Sequence, residues 1–146
     1  VEYEHWTSPL AQNPIRRNAF NDSVLPIVEA GRADMIEDGH EGDGSFVVEL
    51  APGHTPGNCH IRLSSRGQEA IFGGDVIHHP IQVYRPDWST VACLDQVASA
   101  VSRRRLLETC CGRGALLLPS HFPAPHGGHV RATGSGFAIQ WLGADA

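Results

Sequence analysis

Ser45-Phe46-Val47-Val48-Glu49-Leu50 is a nearly continuous apolar run of strand length, and it ends in Ala51-Pro52-Gly53-His54-Thr55-Pro56-Gly57. The pattern predicts a buried strand feeding directly into a stiff turn. His60-Ile61-Arg62-Leu63-Ser64 alternates polar and apolar, which predicts a half-buried strand with His60 facing water. After the turn Ser65-Arg66-Gly67-Gln68, Ala70-Ile71-Phe72 predicts a second strand of a hairpin, ending at Gly73-Gly74-Asp75. Beyond the loop 76–90, Leu94, Val97, Ala98 and Val101 fall at i, i+3, i+4 and i+7. That spacing predicts an amphipathic helix to about Cys111, stopped by Gly112. Ala115-Leu116-Leu117-Leu118 predicts an inner strand that ends at Pro119-Ser120-His121. Two further strands are expected near 128–132 and 136–142, joined by Gly134-Ser135-Gly136.

The N-terminal part is less patterned. Trp6, Pro9 and Pro14 break any long period in residues 1–20, so irregular structure is expected there. Asp22 or Ser23 should cap a short helix through Val24–Val28, with Pro26 in its first turn and Gly31 as its stop. Asp38–Gly44 reads as a polar turn. At 146 residues, 41% hydrophobic and 18% charged, the chain is expected to be one globular domain, 1–146.

Charge and cysteine usage narrow the class. Eleven basic against sixteen acidic residues give −5, which argues against a nucleic-acid partner. Arg103-Arg104-Arg105 reads as a solvated helix face. No apolar run approaches the roughly 20 residues a membrane helix needs, so no membrane partner is expected. Cys59, Cys93, Cys110 and Cys111 show neither C-x-x-C spacing nor disulfide-scaffold density; a reducing, cytoplasmic setting fits them. The chain opens on Val1 and its single methionine is Met35, from which a missing N-terminal part is expected.

Nine histidines are many for this length. Three predicted strands each end at a group that can bind a metal: His54, Asp75 and His121. Strand ends on one sheet edge converge, and rigid elements hold ligands well. Histidine and aspartate without a matching thiolate suit zinc or another divalent first-row ion. Gly53 and Gly57 allow a close backbone bend and Pro56 stiffens it.

"APGHTPG", then "IFGGDVIHHPIQ", then "LLLPSHFPAPHGG" resembles, in order and spacing, the later metal-binding motifs of the metallo-β-lactamase superfamily. "PIVEAGRADMIEDG" and "SRRRLLETCCGRGALLLPSHF" also match its general pattern, so the likeness covers most of residues 20–142. The resemblance implies an α/β (α+β) fold, part of an αββα sandwich and mostly its C-terminal half. It implies that His54 completes the ligands of a first ion, Asp75 bridges two ions, and His121 binds the second. It further implies a dinuclear zinc hydrolase that attacks a small ester, lactone or related substrate with a metal-bound hydroxide. The HxHxDH motif that supplies the remaining ligands in that superfamily is absent from this sequence. The chain therefore reads as a truncated domain: a proteolysed remnant, a gene fragment, or a chain that pairs with another half.

Other residues have more than one reading. His78, three positions after Asp75, reads either as the catalytic proton donor to the leaving group that the resemblance to the superfamily's lactonases implies near this position, or as a residue of a substrate-facing loop without a fixed role. His79 packs or hydrogen-bonds. His126 and His129 read as loop residues at the rim of the site. Tyr84, Trp88 and Phe122 are either core or an apolar substrate wall. Function likewise has two readings. The chain is part of a metal-dependent hydrolase acting on a small molecule, completed by a missing N-terminal half. Alternatively it is a non-catalytic half-domain with an incomplete metal site, self-associating as a homodimer through an uncovered sheet face.

Overall fold

The computed structural model describes residues 1–9, 11 and 19–143, which fall into two compact units, 1–37 and 38–146. In the first unit, helix α1 spans Glu2–Thr7, a π-helical turn spans Phe20–Val24, and α2 spans Leu25–Glu29. Trp6, Ala11 and Phe20 are buried together, with Tyr3 and Leu25 packed against them. The irregular structure expected at the start is thus partly helical, because Trp6 anchors α1 and donates its indole N–H to Glu2 at 2.7 Å. Pro14 lies outside the described residues. Residues 25–29 are helical as the sequence suggests, with Pro26 in the first turn. Asp22 and Ser23 do not cap that helix but lie inside the π turn.

The second unit is built on one seven-stranded sheet in sequential order. Its strands are β1 (His40–Gly42), β2 (Phe46–Leu50), β3 (Cys59–Ser65), β4 (Gln68–Gly74), β5 (Leu116–Pro119), β6 (Gly128–Thr133) and β7 (Gly136–Trp141). All neighbours are antiparallel except β4 and β5, which are parallel and joined by a crossover. The crossover contains α3 (Ile81–Tyr84) and α4 (Gln96–Arg113).

The expected polar turn at 38–44 contracts to the three-residue loop Asp43-Gly44-Ser45, with Asp43 and Gly44 at positive φ, and adds His40–Gly42 as an edge strand. Asp43 and Gly44 supply the left-handed backbone that this short hairpin loop needs, and that overrides the polarity of the flanking residues. In the β3–β4 hairpin, Arg66 and Gly67 play the same part with φ of 51° and 76°. Helix α4 is capped by the Asp95 carboxylate, which accepts from Ala98 N at 2.9 Å. It ends at Gly114, φ 65°, rather than at Gly112.

The sheet has two unlike faces. Ile71 and Leu117, register partners across β4 and β5, are fully buried under Leu106, Leu107 and Cys110 of α4. One residue along, Phe72 is paired with Ile61 and with Leu118 on the opposite face; Ile61 and Phe72 are 38% and 44% exposed. His60 does not face water as expected. It is buried, and its Nε2 lies 2.9 Å from Glu49 Oε2 on β2.

Helix α4 overturns two further expectations. Leu94, Val97 and Val101, whose spacing marks the helix, stay exposed at 53%, 76% and 64%, while Ser99, Arg103, Leu106, Leu107 and Cys110 are buried. Arg103, expected in water, is 0% exposed. The reason lies underneath the helix: its N-terminal half covers loop backbone, whose carbonyls require donors rather than hydrocarbon. Arg103 donates to the carbonyls of Val76, Pro86 and Trp88 at 3.0, 2.8 and 2.8 Å, and to Ser99 Oγ at 2.8 Å.

Candidate metal centre

Strands β2 and β4 are each antiparallel to β3, and β4 is parallel to β5, so the C-terminal ends of β2, β4 and β5 share one sheet edge. His54, Asp75 and His121 follow those ends.

The turn carrying His54 is bolted to α4. Leu94 N donates to His54 O at 3.1 Å, Asp95 N to Gly53 O at 2.9 Å, and Ser102 Oγ to Pro52 O at 2.7 Å. Gly53 has φ 134°, and a Cβ there would fall on the backbone of Ser99. Glycine is required on both counts, which explains why the turn tolerates no side chain at this point. Asp75 follows an irregularity in the β4–β5 register between Phe72 and Gly74. Such a break re-aims the chain at the strand end.

The structure brings the three sequence-predicted groups together. His121 Nε2 lies 2.7 Å from Asp75 Oδ1, and His54 Nε2 lies 3.5 Å from Asp75 Oδ2. The two carboxylate oxygens therefore face two different histidines. His78 stands between them, its ring 4.9 Å from that of His54 and stacked on that of His121 at 5.2 Å. Asp75, His78 and His121 have donor atoms within 4.8 Å of one another.

His78 is held from behind. Gln82 Oε1 accepts from the backbone N–H groups of His78 and His79 at 2.7 and 3.1 Å, and Gln82 Nε2 donates to Trp88 O at 2.7 Å. Both ring nitrogens of His78 are buried without a hydrogen-bond partner among the described residues. Burial, and secondarily the neighbouring His54, push its pKa down to about 4, against which Asp75 pulls only partly. At neutral pH its ring is a neutral imidazole. A neutral imidazole with orphaned nitrogens beside a carboxylate and two more histidines is a donor set that fits a divalent first-row ion.

His79 caps α3 locally, its Nδ1 accepting from Ile81 N at 3.1 Å. His126 lies near the strand-end loop, with Nδ1 3.0 Å from Phe122 O. His129, expected at the rim, instead sits on β6 opposite Leu116, at the other end of β5 from His121, with Nδ1 3.1 Å from Gly114 O. Phe122 is core, stacked at an angle on Trp141, while Tyr84 and Trp88 are about half exposed. Two residues escaped the sequence analysis. Cys93 places its sulfur within 4.8 Å of donor atoms of His54 and His78. Arg103 clasps the loop that carries His78. A lone cysteine and an arginine inside a basic run carry no sequence signal of these positions.

No protein-family model and no curated protein sequence matches the chain. Solved structures do. The chain is similar to AidC, a dizinc quorum-quenching lactonase solved with the product N-hexanoyl-L-homoserine, at 25% identity and TM-score 0.78, over 97% of this chain and 52% of that one. It is similar to the hydrolase AbOPH of the β-lactamase superfamily at 22% identity and TM-score 0.83, over 97% and 52%. A probable metal-dependent hydrolase from Staphylococcus aureus aligns at 16% identity and TM-score 0.69, over 95% and 50%. The chain thus has the mixed α/β fold of about half of a metallo-β-lactamase superfamily hydrolase, as its motifs imply. It spans about half the length of these neighbours, which are described as a dizinc lactonase, a hydrolase of the β-lactamase superfamily and a probable metal-dependent hydrolase. Among the described residues, no helix is long and apolar enough to cross a membrane.

Proposed function

We propose that residues 1–146 form one partial domain of a metal-dependent hydrolase and carry His54, Asp75 and His121 as ligands of a dinuclear, zinc-type centre. The observation that carries this reading is the Asp75 carboxylate, whose oxygens point to different histidines, at 2.7 Å on one side and 3.5 Å on the other. Ions held there would supply Lewis acidity and an activated water for attack on a carbonyl. The chain's own residues have separate tasks. Asp75 would offer its charge and both oxygens to such ions, His54 and His121 would hold them from rigid strand ends, and Gln82 fixes the His78 backbone. His78 offers a neutral imidazole N–H to the leaving oxygen of a small ester or lactone, stabilising charge as it develops. The likeness to a lactonase supports that substrate class.

The test is metal content per chain by elemental analysis, followed by lactone and aryl-ester turnover with the complementary half supplied in trans. Stoichiometric metal with turnover is the expected result. Metal-free protein that stays inert with the second half present would sink the proposal.

The exposed Ile61–Phe72 face favours a second reading, a non-catalytic half-domain that self-associates through that face. A chelator-insensitive homodimer with no turnover is its signature.

A further inference from the structure

We infer that the chain holds a second, sulfur-containing metal triad, His54–His78–Cys93, for a thiophilic d10 divalent ion. It needs neither Asp75 nor His121, so it stands independently of the hydrolase reading although it shares two histidines with that centre.

The geometry is convergent. Donor atoms of the three residues lie within 4.8 Å of one another. A tetrahedral zinc site places its donors roughly 3.3–3.7 Å apart, so closure needs about an ångström of side-chain movement. Each residue arrives from a separately fixed element. His54 sits on the turn bonded to the start of α4, and His78 on the loop clamped by Gln82. Cys93 sits in a local turn closed by its backbone N–H, which donates to Thr90 O at 3.1 Å, and the next residue, Leu94, donates to His54 O at 3.1 Å.

The surroundings suit an anionic sulfur. Cys93 is 6% exposed, and Sγ lies 3.3 Å from Ser99 Oγ, the hydroxyl that accepts from Arg103 Nη2. Arg103 is fully buried, and none of the groups it hydrogen-bonds is a carboxylate. Its hydrogen-bond partners are neutral, and the groups that favour its charge act through space, Cys93 ahead of Asp87. When an ion binds, the Cys93 thiol proton leaves to solvent, and the sulfur then stands one hydroxyl away from that guanidinium. His78 supplies the second sign of a ligand, since both its nitrogens are buried without a hydrogen-bond partner among the described residues. Sulfur and imidazole together select soft and borderline ions over the oxygen-seeking ones. His78 lies within reach of both groups of donors, so a soft ion bound with Cys93 draws it away from the leaving-group role proposed above.

Cadmium is the probe. Titrating Cd2+ into the 146-residue chain should raise a near-ultraviolet sulfur-to-cadmium absorption that is lost completely in Cys93→Ser and retained in Asp75→Asn. In the unmutated chain, bound cadmium should also block alkylation of Cys93, located by peptide mass mapping, so the result does not depend on the variant folding. No band in the unmutated chain, a band that survives Cys93→Ser, or a band lost equally in Asp75→Asn overturns the second triad. Cadmium or zinc uptake with no sulfur band would overturn it while leaving the Asp75 centre standing.

Discussion

The two ends of β4 each carry a carboxylate, and their company differs. At the start of the strand, Glu69 receives both Nε and Nη2 of Arg113, has Arg62 Nη1 at 3.8 Å, and accepts from Ser64 Oγ at 3.3 Å. The Arg113 hydrogen bonds hold its carboxyl below the ordinary value of 4.5. Just past the other end, Asp75 faces three imidazoles, of which His78 is neutral at neutral pH. One end is closed by permanent cations from the chain itself. At the other, the ring nitrogens are aimed at a carboxylate with no arginine among its ion-pair partners in the described residues. The comparison separates a carboxylate used for structure from one arranged to receive charge from outside.

Breaking the site end should have the largest effect. Asp75→Asn keeps the shape and removes the charge. In the completed enzyme it should cost more than the ~10–100-fold in metal affinity that loss of an outer partner costs, with the fold intact by circular dichroism. Unchanged metal affinity, measured by competition with a chelating dye, would put Asp75 on the same structural footing as Glu69.

Next comes the clasp behind the site. Arg103→Met removes donors from three loop carbonyls; Trp88 O keeps Gln82 Nε2, while Val76 O and Pro86 O lose the guanidinium at about 1–3 kcal/mol each, so a loss of about 2–5 kcal/mol is expected on urea unfolding. A loss below about 1 kcal/mol would mean water or another donor replaces the guanidinium readily. The smallest effect belongs to the closed end. Glu69→Gln should shift the unfolding midpoint only slightly, because Arg113 is half exposed and surface pairs are weak. Its pH signature has a definite sign. A carboxyl with a depressed folded pKa contributes fully above 4.5 and loses that contribution as pH falls through its lower folded value. The variant should match the parent at the acid end and diverge slightly from it at neutral pH.

Much of the sheet was legible in the sequence. The runs at 46–50, 59–65, 68–74, 116–119, 128–133 and 136–141 are strands, because strand-period patterns and Gly-bearing turns are local signals. The three groups His54, Asp75 and His121 were legible as strand-end residues for the same reason. The buried face of α4 was not. Its apolar stripe at Leu94, Val97 and Val101 obeys the helical period, yet the helix turns Ser99 and Arg103 inward to satisfy carbonyls brought there by distant loops. His60 was misjudged similarly, since alternation cannot anticipate Glu49 as its cross-strand partner.

By itself, then, the sequence determined the order of strands and turns and which residues end them, because backbone preference and side-chain period act over a few neighbours. Only the tertiary structure decided that Cys93 joins His54 and His78, that Arg103 is buried, and that Asp75 shares its oxygens between two histidines. Those outcomes depend on segments tens of residues apart meeting at one edge, where unpaired donors and acceptors choose their partners by proximity rather than by sequence spacing.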